Sequence, residues 1–245
     1  MDLAIQNINE VLERELKTLH GVLEYIGNRN KRELQFYRTK KILHRLKNEP
    51  SFKANDLIRQ THNFYGWMAK NHSRGRCAGA LYRTLGFMNI RPNCRDGSQK
   101  NSRNIHIEHT IPVNVLESTL RASAQSLHCP RDMHRFMIEN SICVAFSHEE
   151  EKWLSPAKVP PSKNEAFDLQ GKKLNQYPFR RYLPLLSYAE KEEKEFRVYN
   201  IITKKEISIM DFTFADHAAS IDMVSQLASN SESTFLYGVD GFDQK

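Results

Sequence analysis

The hydrophobic periodicity changes near residue 104, and this change constrains the fold more than any other feature of the sequence. On the N-terminal side, apolar residues recur at steps of three and four, which predicts helices over residues 2–26, 31–47, 54–70 and 75–85. On the other side, apolar and polar residues alternate over residues 105–109, which predicts a strand, and an apolar run predicts a second strand over residues 141–146. The sequence therefore predicts an α+β fold.

Three regions follow from this pattern. Residues 1–90 form a helical region, residues 91–155 contain both strands, and residues 156–245 form a small α/β region. In the last region, residues 196–210 predict a hairpin that turns at residues 203–205, and residues 216–227 predict a helix. Polar segments predict loops over residues 91–104, 128–134 and 155–180.

Positive charge is concentrated in one third of the chain. The whole sequence has 36 basic and 29 acidic residues, a net charge of +7, but residues 29–105 contain 18 basic residues and 4 acidic ones. Such a block attracts polyanions, nucleic acid above all, although a solvated basic surface explains it as well. The candidate nucleic-acid contacts are Arg38, Lys40, Lys41, Arg45, Arg91, Arg95 and Arg103.

Several protein classes do not fit the sequence. No apolar run approaches the roughly 20 residues that a membrane span needs. The N-terminus lacks the basic-then-apolar pattern of a signal peptide, so we expect the chain to stay in the cytoplasm. The four cysteines form no C-x-x-C pair, and the glycine-rich motifs of the common nucleotide-binding folds are missing from the sequence.

The segment around residue 108 carries the most informative chemistry. Glu108 and His109 are adjacent at the end of the first predicted strand, Asn140 precedes the second strand, and His148 follows it. Residues 147–150 have the S-x-x-E form of a capping box, which places His148 in the first turn of a helix. Glu108 and His148 could bind one divalent cation, and His109 could accept a proton from an attacking water.

The segment EHTIP, residues 108–112, resembles the Asp/Glu-His-x-x-Pro motif of the HNH endonucleases, whose fold is the ββα-metal finger. The resemblance covers residues 104–154. It implies that His109 is the general base, that Glu108 and His148 bind one Mg²⁺, and that Asn140 braces the loop. Glu151 is the second choice for the helix ligand. His106 is expected on the other face of the strand from His109, and neither His106 nor the group His128, Cys129 and His134 is assigned to the site.

The resemblance implies a Mg²⁺-dependent endonuclease that hydrolyses phosphodiester bonds of double-stranded DNA. A stand-alone restriction endonuclease is the first interpretation, acting as a homodimer if its site is palindromic. A mobile-element or structure-selective HNH nuclease is the first alternative. A non-catalytic, basic nucleic-acid-binding protein is the second, and it predicts that His109→Ala changes nothing.

Overall fold

The computed structural model describes residues 2–27, 29–67, 79–95, 104–127, 129–157 and 177–228. It confirms the α+β class. The helices are α1 (Asp2–Gly27), α2 (Arg29–Asn48), α3 (Asn55–Trp67), α4 (Leu85–Asn89), α5 (Val113–Ser123), α6 (Pro130–Asn140), α7 (His148–Glu151), α8 (Leu183–Lys191) and α9 (Phe214–Ala228). The strands are β1 (Tyr82–Thr84), β2 (Ile105–His109), β3 (Cys143–Ser147), β4 (Val198–Asn200) and β5 (Lys205–Glu206).

The strands form one mixed sheet in the order β2-β3-β1-β4-β5. Strands β1 and β3 are parallel, and the other neighbouring pairs are antiparallel. All three regions predicted from the sequence contribute strands to this sheet, and α1 from the first region packs against α9 from the last. The described parts of the three regions thus share one sheet, and the division of the chain into these regions stays a prediction.

The pair β2–β3 and the helix that follows it form the centre of the candidate site. The two strands pair from Ile105 opposite Ser147 to His109 opposite Cys143, with α5 and α6 inserted between them in sequence. Helix α7 begins directly after β3, and the capping box predicted there is present, because the Ser147 hydroxyl accepts from the Glu150 N–H.

Glu150 connects the start of α7 to the point where β1 ends and α4 begins. Its buried carboxylate accepts hydrogen bonds from the backbone N–H groups of Ser147, at 3.1 Å, and of Gly86, at 3.0 Å. A Cβ atom at Gly86 would lie 2.5 Å from the Glu150 carboxyl carbon, so this close approach requires glycine. The start of α7 is therefore fixed relative to β1 and α4.

The first three predicted N-terminal helices are confirmed where the structure describes them. Helices α1 and α2 cover the two longest apolar stripes, and α3 begins at Asn55; residues 68–70 of the third prediction lie outside the described residues. Buried side chains on these helices, which include Leu12, Leu19, Ile42 and Ile58, form part of the hydrophobic core. The predicted hairpin near residue 203 and the last helix are confirmed as β4–β5 and α9.

Two predictions of local structure are wrong. The last part of the fourth predicted helix is strand β1. Its three residues, Tyr82–Thr84, are buried and pair with β3 on one side and β4 on the other. The loop predicted over residues 128–134 contains the start of α6, which begins at Pro130 and uses Asp132 in a capping box. Residues 75–78 of the fourth helix lie outside the described part of the chain.

Within the described residues, no helix combines the length and the apolar character needed to cross a membrane.

Candidate functional site

The side chains of Glu108 and His109 on strand β2 lie on opposite faces of the sheet. Successive side chains of a strand alternate between faces, and the burial along β2 alternates in the same way up to Glu108. Glu108 contacts His106 on one face, whereas the His109 ring packs against His62 of α3 on the other. The structure therefore places the predicted general base, His109, and the predicted metal ligand, Glu108, on opposite faces of β2, because they are neighbours in a regular strand.

Glu108 instead belongs to a group of two carboxylates and two imidazoles, His106, Glu108, His148 and Glu151, which we call the Glu108 cluster. His106 Nε2 lies 3.3 Å from Glu108 Oε2, and His106 Nδ1 lies 3.7 Å from Glu151 Oε1. His148 Nδ1 lies 2.7 Å from the other Glu151 oxygen. All four side chains are partly exposed, so solvent and a ligand can reach them.

Arg181 holds Glu108 from the side opposite His106. Its Nη1 lies 2.6 Å from Glu108 Oε1 and also donates to the backbone oxygen of His109. Burial raises the pKa of Glu108, but the hydrogen bond from His106 and the charge of Arg181 outweigh burial and hold the pKa below its usual value. Glu108 is therefore an anion at neutral pH, with Oε2 directed into the cluster.

The His109 face carries a second group, which we call the His62 group: His62 of α3, His109 at the end of β2 and Cys143 at the start of β3. One ligand atom from each lies within 4.8 Å of the others. The two imidazole rings pack edge to face, with centroids 4.3 Å apart. Burial lowers the pKa of His62 to about 4, and burial together with the nearby charge of His62 lowers that of His109 to about 2. Both rings are thus neutral at pH 7.

The predicted site residues Asn140 and His148 lie on different helices, at the end of α6 and at the start of α7. His148 opens α7, as the capping box predicts, and is half exposed within the Glu108 cluster. Asn140 is buried at the end of α6, where its side-chain amide donates to the backbone oxygen of Phe136, 2.8 Å away. Its amide is thus used within its own helix, and its role as a brace for the β2 loop stays a prediction.

The predicted nucleic-acid contacts divide by exposure. Lys40, Lys41 and Arg91 are exposed, and Arg38 lies on the same helix as the two lysines, with its guanidinium bonded to Gln35. Arg45 pairs with Glu49 and lies 3.7 Å over the Phe52 ring. Arg103 lies outside the described residues.

Arg95 is not available as a surface contact. It is buried and forms two hydrogen bonds with Glu15, at 2.7 and 2.8 Å, beside Arg83. The prediction for Arg95 is therefore wrong, because its charge is used inside the protein. No local pattern in the sequence indicates this pairing, since the two residues are 80 positions apart.

Sequence reasoning missed three residues of the two groups, His106, His62 and Cys143, and also Arg181, which pairs with Glu108. The strand alternation was sufficient to place His106 beside Glu108, since the two are separated by one residue. Nothing in the spacing indicated the other three, because α3 and the Arg181 segment reach β2 only through tertiary packing.

Comparisons of the chain with protein-family models, with curated proteins and with solved structures found no match in any of the three.

Proposed function

We propose that this protein is a metal-dependent endonuclease that hydrolyses phosphodiester bonds of double-stranded DNA, with the Glu108 cluster as its active site. The observation that supports this most directly is the cluster itself. Two carboxylates and two imidazoles from β2 and α7 lie together at the surface. This combination supplies both cation ligands and proton acceptors, which metal-assisted hydrolysis requires.

The donor types of the cluster suit a Mg²⁺ ion. Mg²⁺ prefers oxygen ligands and is commonly bound by one or two carboxylates, with water and substrate phosphate in the other positions. Glu108 and Glu151 offer these oxygens, and both approach His106 from different sides. When bound there, the cation would polarise the phosphate and stabilise the charge that develops on its oxygens.

The proton acceptor that we propose is His106. It lies between the two carboxylates and is partly exposed, whereas His109 faces α3 and its pKa of about 2 makes it a weak base. A carboxylate beside an imidazole fixes the orientation of the ring and stabilises the imidazolium that forms on proton transfer. Glu108 would orient His106 in this way by accepting from Nε2, which leaves Nδ1 as the proton acceptor, and His148 would orient Glu151.

We propose DNA as the substrate because of the cationic segment, of which Lys40, Lys41 and Arg91 are exposed. Contacts of this kind bind phosphates and position the duplex without reading its sequence. The narrower proposals are a cytoplasmic restriction endonuclease, and a homodimer if its recognition site is palindromic. A mobile-element nuclease would use the same cluster and differ only in the sites that it cuts.

The first experiment is incubation of the protein and its Glu108→Gln and Glu151→Gln variants with phage DNA and Mg²⁺. Each substitution removes a cation ligand and keeps the shape of the side chain, so we expect cleavage to fall by about 10²-fold or more, with DNA binding retained. Gel electrophoresis measures cleavage, and a mobility-shift assay measures binding. Discrete bands from the parent protein would support a restriction enzyme, and a smear a non-specific nuclease.

The matched control is Glu149→Gln. Glu149 is on the same short helix but its side chain is 77% exposed and pairs with Lys152, whereas that of Glu151 is 30% exposed within the cluster. We expect this variant to cut at the parental rate. A Glu108→Gln/Glu151→Gln double variant that also cuts at the parental rate would disprove the proposed site, and a parent protein that binds DNA without cutting it would favour the non-catalytic interpretation.

A further inference from the structure

The His62 group joins three elements at one point on the opposite face of β2 from the Glu108 cluster. His109 and Cys143 are directly paired residues of β2 and β3, and His62 reaches them from α3. In a tetrahedral site with bonds of about 2.0–2.3 Å, the ligand atoms lie about 3.5 Å apart. The three ligand atoms here lie within 4.8 Å of one another, so a movement of about 1 Å would bring them to that spacing.

The hydrogen bonding of His62 leaves the lone pair of one ring nitrogen available to a metal ion. Its Nε2 lies 3.2 Å from the backbone oxygen of Ile111, and because a carbonyl oxygen only accepts, the ring proton is on Nε2. The lone pair is then on Nδ1, which is buried and has no hydrogen-bond partner on any other described residue. Histidines that bind metals usually donate their second nitrogen to a carbonyl or carboxylate in this way, and a buried acceptor without a partner is otherwise costly.

The donor types select the class of cation. Two imidazole nitrogens and one sulfur suit Zn²⁺ and similar borderline or soft transition metals, whereas Mg²⁺ and Ca²⁺ require oxygen ligands. His62 and Cys143 are buried and His109 is partly exposed, so the cation would enter from the His109 side, where water can supply a fourth ligand.

We propose that His62, His109 and Cys143 form a second metal site, which binds one Zn²⁺-class cation and ties α3 to the ends of β2 and β3. Binding deprotonates the Cys143 thiol, so one proton is released for each cation bound. The site does not depend on the nuclease proposal, because it lies on the other face of the strand and shares no side chain with the Glu108 cluster.

The test uses the full chain, stripped of metal by a chelator and titrated with Zn²⁺ or Co²⁺ in excess Mg²⁺, which occupies oxygen-rich sites. We expect one tightly bound Zn²⁺ per chain, and with Co²⁺ a thiolate-to-metal charge-transfer absorption in the near ultraviolet. Cys143→Ser should abolish this absorption, and His62→Gln should weaken Zn²⁺ binding by more than about 100-fold, since even the loss of an outer hydrogen-bond partner costs 10–100-fold.

Two control variants separate this site from other binding. Cys94→Ser removes a free thiol outside the group and should keep the absorption. Glu151→Gln alters the Glu108 cluster, which contains no sulfur and cannot produce the absorption. Wild-type protein that binds no stoichiometric Zn²⁺, or an absorption that persists in Cys143→Ser, would overturn the proposal even if one of the variants is poorly folded.

Discussion

Glu15 lies fully buried on α1 between the guanidinium groups of Arg83 and Arg95. Burial raises the pKa of this carboxyl, but the hydrogen bond from Arg95 and the charges of both arginines outweigh burial and lower the pKa to about 2. Removing one partner from a buried ionic group leaves the other charges uncompensated, which typically costs about 3–5 kcal/mol. We therefore expect Glu15→Gln to lower the free energy of unfolding by about that amount at pH 7, as measured by urea denaturation.

The pH dependence of this effect has a definite sign. Because the folded pKa is below the unfolded value of 4.5, the stabilisation is fully present above about pH 4.5 and is lost as the pH falls towards 2. The difference between the parent protein and Glu15→Gln should therefore shrink over that range. The control is Glu13→Gln, since Glu13 is half exposed in its pair with Lys204 and should change stability little. Equal losses of unfolding free energy in the two variants would contradict a stabilising role for the buried ion pairs of Glu15.

The alternation of side chains along β2 gives its two histidines different roles. His106 lies with Glu108 and Glu151, and His109 lies with His62. We expect His106→Gln to lower single-turnover cleavage by about 10²–10⁴-fold, the usual contribution of a general base, without loss of DNA binding. His109→Gln should leave the Mg²⁺-dependent rate within about tenfold of the parent but weaken Co²⁺ binding at the His62 group.

The opposite result would restore the role that the HNH resemblance gives to His109. A His109→Gln variant that no longer cuts, together with a His106→Gln variant that cuts normally, would show that the general base acts from the α3 face. In that case the Glu108 cluster would be a surface group of ion pairs, and the cation would have to bind nearer to His62.

The elements that could be predicted are those whose own residues determine them. The long apolar stripes of α1 and α2, the alternation of β2 and the capping box of α7 are local signals, and each appears in the structure where the sequence predicts it. Strand β1 has only three residues, and it is a strand because β3 and β4 pair with it on both sides. No pattern within a window of its length carries that information.

The candidate sites depend on contacts between parts of the chain that are distant in the sequence. Arg181 reaches Glu108 across 73 positions, and His62 reaches His109 across 47 positions. The sequence could indicate Glu108, His148 and Glu151, because the resemblance to the HNH motif spans β2, β3 and the helix that follows β3. It could not indicate Arg181 or the His62 group, which exist only once the helices have packed on the sheet.

The concentration of positive charge in residues 29–105 leads to the last prediction, which concerns how DNA binding depends on salt concentration. Each lysine that neutralises a phosphate adds about 0.9 to the slope of log affinity against log salt concentration. Exposed Lys40 and Lys41 are adjacent on α2, so Lys40→Gln/Lys41→Gln should reduce that slope by about 1–2 in a fluorescence-anisotropy titration with a DNA duplex. Lys191→Gln/Lys205→Gln changes the net charge equally at exposed positions outside the cationic segment and should leave the slope almost unchanged. Equal slopes for both double variants would mean that the affinity follows net charge alone and that α2 does not contact the duplex.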